Sequence, residues 1–435
     1  MKISVAGAGY VGLVTAACLA EIGNSVICSD IDKNKIKNLN KNIMPIFEPG
    51  LERIITSNRK NKRLSFTTEL KKAIVESDVI FICVGTPPRD DGGADLSHVQ
   101  DVARTIADVM DSPKVIVEKS TVPVETGDMV AKSIRHYNKH RVEFDIVSNP
   151  EFLREGSAVH DFMHPDRIVI GCESERARKI MRELYSPIKS PLIFTDIRSA
   201  EIIKHASNSF LAMKISFINA ISNICELAGA DVQMVSNAMG HDKRICPEFL
   251  NAGIGYGGFC FPKDVDAFIA ISEKLGYDFK LLKSVQEINV AQRGNFVSKV
   301  VGALSVLKDK TIGVLGLSFK PNTDDLRFAP SIEIISKLQN YGANIKAYDP
   351  KSMEKAKQIL KNVKYCNSPY DAAKNSDALL ILTEWEEFEE LDLRKIKSIM
   401  KHPLIIDGRN IYDPEKLRRI GFTYISIGRR NVNQG

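Results

Sequence analysis

At 435 residues the chain is too long for one ordinary core, and two or three domains are expected. Apolar residues make up 44% and charged residues 26%, the balance of a folded globular protein and not of a disordered one. Sixty Lys and Arg against 54 Asp and Glu leave a formal charge of +6 with no long basic run. Neither nucleic acid nor a membrane surface is therefore an expected partner, whereas phosphate-bearing small molecules fit.

The first residues, MKISVAGAG, pass straight into a strand without the basic and apolar segments of a secretory signal. No apolar stretch is expected to approach the roughly 20 residues of a membrane-spanning helix, and a cytoplasmic protein is the expectation. The eight cysteines (Cys18, Cys28, Cys83, Cys172, Cys225, Cys246, Cys260 and Cys366) form no CxxC pair and no His/Cys cluster at metal-ligand spacing. Reduced, mostly buried thiols and no bound metal follow.

Short β-branched runs at 2–9, 25–30, 78–85, 114–120, 144–149 and 167–171 alternate with helical stretches, which reads as a parallel sheet wrapped by helices. In the first of them Gly7, Gly9 and Gly12 form GxGxxG after a strand, with Tyr10 and Val11 opening the helix 10–22 and Asp30 ending the second strand. Glycines let the backbone approach a pyrophosphate at the helix N-terminus, and Asp30 can accept from adenosine ribose hydroxyls, which favours NAD over NADP. Lys35 either faces the same ribose or is a solvated lysine. Thr86 in VGTPP, Ser120 and Thr121 in STVP, and Glu151, Phe152, Leu153 and Glu155 in NPEFLREG follow strands, where ligands of open α/β sheets bind. Each alone could equally be a turn or a helix cap.

Residues 199–228 lack Pro and Gly and are rich in Ile, Ala, Phe and Met at helical spacing. One long helix is expected, with apolar positions nearly encircling it (Ile202, Ile203, Phe210, Met213, Ile215, Phe217, Ile218, Ile221, Ile224) and burial on several sides. Lys204 and Asn208 share one face of this rod. If buried, they can hold the oxygen of a carbonyl substrate; the other reading, a face that sees solvent, stays open.

Cys260 lies in GYGGFCFPKD (255–264), between a glycine-rich turn and a helix with Pro262 in its first turn. The helix N-terminus and Lys263 favour thiolate, and Gly253, Gly255, Gly257 and Gly258 strip side chains away as if to admit a ligand. A small buried hydrophobe is the competing reading of any cysteine. Beside a nicotinamide fingerprint, a nucleophilic thiol implies a four-electron oxidation. An aldehyde has no hydride to give until something adds to its carbonyl, and a thiohemiacetal supplies one, leaving a thioester that water can cleave.

A helix at about 280–306 leads to a second strand series at 311–318, 344–350, 377–383, 403–410 and 422–428, whose opening GLSFK lacks the full GxGxxG and is tuned to another ligand. The expected fold is α/β: two Rossmann-like domains with parallel sheets, joined by a long central helix and a small helical region. The expected boundaries are 1–196 for NAD binding, 197–306 for the central part carrying Cys260, and 307–435 for the second Rossmann-like domain, which the resemblance given next implies to be the nucleotide-sugar domain.

Taken in order, GAGYVGL (7–13), VGTPP (84–88), STVP (120–123), NPEFLREG (149–156), Lys204 with Asn208, GYGGFCFPKD (255–264), GLSFKPNTDDLR (316–327) and DGRN (407–410) closely resemble the UDP-glucose/GDP-mannose dehydrogenase family, end to end. FPKD and DGGADLSHV (91–99) look most like the members that oxidise UDP-glucose. The resemblance implies NAD on the first domain, Cys260 as nucleophile, Lys204 and Asn208 on the C6 oxygen and Asp264 activating the hydrolytic water. Thr121 and Glu155 match positions near the nicotinamide and that water. Glu151, Phe152, Leu153, Phe249, Leu250, Gly253, Tyr256, Gly257 and Lys320 match substrate contacts, and Lys263 and Arg327 match cofactor contacts. Arg244 matches an arginine that reaches the substrate of the neighbouring subunit, which implies a homodimer. Two positions depart from the family: Phe259 stands where Ser is common and Phe328 where Glu is common.

The expected reaction is NAD-dependent oxidation of a UDP-sugar, UDP-glucose first, with GDP-mannose or a UDP-N-acetylhexosamine as alternatives. A two-electron hydroxyacid-type dehydrogenase would make Cys260 dispensable, and a silent nucleotide-sugar sensor would better suit a chain lacking Cys260, Lys204 or Asp264.

Overall fold

In the first sheet the strands are short and predominantly apolar, as suits strands covered on both faces. The computed structural model describes residues 1–89 and 92–431, so that Asp91 of the 91–99 segment lies outside the described residues. The chain divides into two compact units, Met1–Ser207 with Asp266–Tyr277, and Asn208–Val265 with Asp278–Gly435.

Unit 1 holds an eight-stranded sheet of β1 (Lys2–Ala6), β2 (Ser25–Ser29), β3 (Leu64–Thr67), β4 (Val79–Ile82), β5 (Lys114–Glu118), β6 (Phe144–Ser148), β7 (Ile168–Gly171) and β8 (Leu192–Thr195), ordered β3-β2-β1-β4-β5-β6-β7-β8. The order reverses between β1 and β4, which makes the carboxyl ends of those strands the natural ligand crevice. The expectation of an all-parallel sheet is corrected at one seam, because β7 runs antiparallel to β6. The connection between them, residues 149–167, carries the six-residue helix Ala158–Met163, and the two strands meet antiparallel through Ser148 and Gly171.

Unit 2 holds a six-stranded parallel sheet of β9 (Thr311–Leu315), β10 (Asn344–Tyr348), β11 (Val363–Tyr365), β12 (Ala378–Ile381), β13 (Leu404–Asp407) and β14 (Thr423–Ser426), ordered β11-β10-β9-β12-β13-β14. Its opening turn copies that of unit 1 with a different outcome. Gly316 has a positive φ like Gly7, but Asp349 at the end of β10 is buried, accepting from the N–H groups of Leu317 (2.8 Å), Ser318 (3.1 Å), Lys351 (2.9 Å) and Ser352 (2.8 Å). A carboxylate so committed to backbone donors has no lone pair to offer a ribose.

The long helix runs from Ile197 to Ala228 and joins the two sheet domains. Two expectations about it are corrected. By length and composition it is apolar enough to cross a membrane, with a mean hydropathy of 1.3 over its best window, so an apolar stretch of that size does exist. Three of its charged residues, Glu201, Lys204 and Lys214, are nevertheless buried and bonded to protein: Lys214, for example, donates to the carbonyls of Ile245 (3.0 Å) and Cys246 (3.1 Å). Nor is the helix buried on several sides. Its inward face is largely polar, with Asn208, Ser216, Asn219 and Ser222 buried, while Phe210, Phe217, Ile224 and Leu227 stand outside, Phe217 48% and Leu227 91% exposed.

Candidate active site

The dinucleotide fingerprint is built as its glycines dictate. A Cβ on Gly7 would lie 2.5 Å from the Cys83 carbonyl oxygen, and one on Gly12 would overlap the Gly7 carbonyl, so neither position admits a side chain. Beside Gly9, at the N-cap of the helix Tyr10–Glu21, a Cβ would meet nothing within 4 Å, and the first turn carries no acidic residue. A pyrophosphate fits a helix start that is open and free of negative charge. Asp30 accepts from Ala8 N–H (2.8 Å), Asp32 N–H (2.9 Å) and Lys35 Nζ (2.9 Å), so the lysine closes on the same carboxylate. Burial pushes the Asp30 carboxyl up, but those donors outweigh it and hold it below the usual range. Tyr10 turns its hydroxyl to Glu48, a residue that no motif marked; Glu48 also accepts from Gly156 N–H and Ala158 N–H, each at 2.7 Å, and so fastens the NPEFLREG loop that carries Glu155.

Lys204 is buried and meets Glu151 at 3.0 Å, while Glu151 also accepts from Leu153 N–H at 2.6 Å. The Phe152 ring lies under the Lys204 ammonium (5.4 Å) and the Arg167 guanidinium (3.8 Å). The open question about this helix face is thereby answered: it is interior, and the cost of burying an ammonium is offset by a paired carboxylate. Thr86 Oγ1 donates to the Thr121 carbonyl at 3.0 Å, which joins the loops after β4 and β5.

In unit 2, Cys260 opens the helix Cys260–Lys274, with Pro262 in its first turn. Of the eight free cysteines it is partly exposed and Cys246 is exposed, while the other six are buried. Asp264, one turn after Cys260, accepts from Asn208 Nδ2 at 2.6 Å and pairs with Lys263 at 2.7 Å, all three side chains being buried. Lys263 therefore pairs with Asp264, while the thiol sits at the positive end of its helix.

The glycines before Cys260 also have a packing reason. A Cβ on Gly253 would lie 2.9 Å from the Gly408 carbonyl, one on Gly255 2.6 Å from Asn289 Oδ1, one on Gly258 2.7 Å from the Phe319 ring, and one on Gly257 would overlap the Phe328 carbonyl. These glycines are where the chain packs closely against itself. Tyr256 is fixed by Asn289, which accepts from its N–H (2.8 Å) and donates to its carbonyl (3.1 Å), and its ring meets Phe261 edge-on. Leu250 is buried, and Phe249 has a positive φ of 65°. Arg409, in DGRN, donates to the Phe319 carbonyl (3.1 Å) next to Lys320. Arg327 is bound by Asp325 (2.6 and 2.9 Å) and stacks at 4.3 Å on Phe259, with Lys263 at 5.7 Å from the same ring. The Phe259 ring thus lies against two cations. Arg244 is exposed and pairs with Asp242 at 2.6 Å.

Family models match in three consecutive stretches: the NAD binding domain of the UDP-glucose/GDP-mannose dehydrogenase family over residues 1–189, its central domain over 198–291 and its UDP binding domain over 313–414. The chain is 50% identical over 432 residues to UDP-glucose 6-dehydrogenase TuaD of Bacillus subtilis (strain 168), covering 99% of this chain and 94% of that protein. Among solved structures, a UDP-glucose dehydrogenase of Pyrobaculum islandicum superposes with a TM-score of 0.92 at 37% identity, covering 98% of each chain. A UDP-D-ManNAc dehydrogenase of Pyrococcus horikoshii gives 0.87 at 28% identity, covering 99% of each.

Proposed function

The chain belongs to the UDP-glucose/GDP-mannose dehydrogenase family, and from that premise we propose that it oxidises UDP-glucose at C6 to UDP-glucuronate in two successive two-electron steps. The observation that carries this reading is the partly exposed thiol of Cys260 at a helix start, one turn before the buried Asn208–Asp264–Lys263 group. NAD, when bound, accepts the hydride of each oxidation.

The first oxidation converts the C6 alcohol to the aldehyde. Cys260 Sγ then adds to the carbonyl carbon, and the resulting thiohemiacetal carries the hydride that the second oxidation removes, leaving a thioester. Water cleaves the thioester to the carboxylic acid and returns the free thiol. Lys204 and Asn208, one turn apart on the long helix, hold the C6 oxygen through the alkoxide and oxyanion forms. Asp264 orients the attacking water, and Glu155 takes part in proton transfer on the side of Thr121 and the nicotinamide. Glu151, Phe152, Leu153, Phe249, Leu250, Gly253, Tyr256, Gly257 and Lys320 contact the substrate; Gly7, Gly9, Tyr10, Val11, Gly12, Asp30, Lys35, Thr86, Lys263 and Arg327 contact the cofactor.

The enzyme acts as a homodimer in the cytoplasm. A chain that leaves Phe210, Phe217, Ile224 and Leu227 exposed along one helix has an apolar stripe that a second copy covers. Arg244, with an 89% exposed side chain, extends to the substrate of that copy.

The test is the number of NADH formed per UDP-glucose consumed, with the charge of the product measured on the same sample. Two NADH and an acid are expected; one NADH and a neutral carbonyl would reduce the enzyme to a simple dehydrogenase. Cys260→Ser is expected to slow the second oxidation by roughly 100-fold or more, since a serine hydroxyl is a far weaker nucleophile at neutral pH. The likeness to a UDP-D-ManNAc dehydrogenase favours a second reading, oxidation of a UDP-N-acetylhexosamine. Comparison of kcat/KM across UDP-glucose, UDP-N-acetylhexosamines and GDP-mannose decides between them.

A further inference from the structure

The loop 119–127 leaves the carboxyl end of β5 and carries Thr121. It is held by side chains to which the reaction gives no task. Glu118 accepts from Ser120 N–H at 3.0 Å, and His205 Nε2 lies 2.9 Å from the Val122 carbonyl oxygen, which makes that nitrogen the protonated one. Glu201 accepts from Glu125 N–H and Gly127 N–H, both at 2.8 Å, where the helix Thr126–Tyr137 begins. Glu201 and His205 are 2% and 1% exposed and flank Lys204 on the long helix.

A carboxyl and an imidazole buried this deeply cost free energy unless what they hold offsets it. What they hold is a loop at the crevice. With the strand order β3-β2-β1-β4-β5-β6, the pyrophosphate lies at the helix after β1, and the second half of a dinucleotide extends over the carboxyl ends of β4 and β5. The contact is also tight: a Cβ on Gly127 would lie 2.5 Å from Ile197 Cγ2 and 3.4 Å from Glu201 Oε1.

We propose that Glu201 and His205 are positioning residues for the cofactor: they fasten the Thr121 loop to the turn of the long helix that carries Lys204, so that the surface facing the nicotinamide half of NAD keeps one geometry. The inference rests on the reading that unit 1 binds NAD. Burial pushes the Glu201 carboxyl up to about 7 against the pull of the Gly127 and Glu125 N–H groups, with Asp128 raising it and Arg198 lowering it. Glu118, pushed up by burial to about 8, interacts with it from β5. Arg198 in turn pairs with Asp128 at 2.8 Å and stands 4.0 Å from Glu125. A proton therefore enters this clamp near neutrality, and a protonated Glu201 has one fewer acceptor for the two N–H groups.

The experiment measures NAD affinity of the full-length enzyme by calorimetry, and the KM values for NAD and UDP-glucose, for wild type, Glu201→Ala, Glu201→Gln, His205→Ala, His205→Gln and Gly127→Ala. Glu201→Ala is expected to weaken NAD about tenfold, the loss of charge-assisted bonds, with the KM for UDP-glucose within about twofold of wild type. His205→Gln, which can still donate to the Val122 carbonyl, is expected to recover most of what His205→Ala loses. Wild-type NAD affinity should fall as pH drops through about 7, and this dependence should be absent in Glu201→Gln. If removing the carboxylate unfolds the chain, Gly127→Ala strains the same contact with the charge intact and should raise the KM for NAD selectively. Wild-type NAD affinity in Glu201→Ala or Gly127→Ala, or equal losses for NAD and UDP-glucose, would overturn the proposal. A wild-type enzyme that binds NAD but leaves UDP-glucose untouched would instead overturn the substrate reading, and the NAD affinities would still decide this one.

Discussion

The side-chain amide of Asn208 donates to Asp264 across 2.6 Å in the interior, while Lys263 closes on the other oxygen of the same carboxylate at 2.7 Å. Asp264 stands one turn after Cys260, on the same face of their helix. Asp264→Asn keeps the shape but leaves the buried Lys263 ammonium without its counter-charge. We expect kcat to fall by roughly 100-fold, the typical loss of a general base. Urea unfolding should show a loss of about 3 kcal/mol, the usual cost of breaking a buried pair from one side.

Phe259 lies 4.3 Å from the Arg327 guanidinium and 5.7 Å from the Lys263 ammonium. Phe259→Ser removes a cation–π contact of about 0.5–1 kcal/mol at a half-exposed arginine. The KM for NAD should rise about two- to fivefold while that for UDP-glucose stays put; Phe259→Tyr, which retains the ring, should behave as wild type. Steady-state kinetics with each substrate varied in turn reads both.

Phe217 sits on the exposed stripe of the long helix and is itself 48% exposed. If the proposed dimer packs on this stripe, Phe217→Glu places a charge in its interface, and sedimentation velocity should show monomers in place of dimers. A dimer of unchanged affinity would move the interface elsewhere.

Glu118 is buried, with Ser120 N–H on one oxygen, and burial pushes its carboxyl from 4.5 up to about 8. A carboxyl raised by folding contributes stability that is full below its unfolded value and lost as pH climbs through the folded one. Unfolding free energy should therefore decline between about pH 5 and pH 8, and Glu118→Gln should flatten that decline. Lys119, lowered by burial to about 8, acts in the opposite sense above that pH, where the unfolded chain binds the extra proton. Urea titrations at pH 5.5, 7 and 8.5 on both proteins check the sign.

Much of the fold was legible because its strands announce themselves. The runs around β1, β2, β4, β5, β6 and β7 are β-branched and bounded by turns, and each was found within a few residues. The strands that escaped notice are β3 (LSFT), β8 (LIFT) and β11 (VKY), three or four residues long at sheet edges, where alternation has no room to show. The direction of β7 was not legible either, since the apolar pattern of a strand is the same read both ways.

The features legible from residue order are local: the GxGxxG turn with its acid at Asp30, the helix that Cys260 opens, and the alternation that yields two Rossmann-like domains. These follow from steric and hydrogen-bonding demands within a few residues, which any reading of the chain can apply. The tertiary structure alone decided who faces whom. It paired Lys204 with Glu151 and Asn208 with Asp264, turned the polar face of the long helix inward and its phenylalanines outward, packed the glycines before Cys260 against carbonyls and rings, and brought Glu201 to the start of a helix 74 residues earlier at Gly127. The free energy of a buried polar group depends on the partner it meets, and that partner comes from a part of the chain that spacing does not identify.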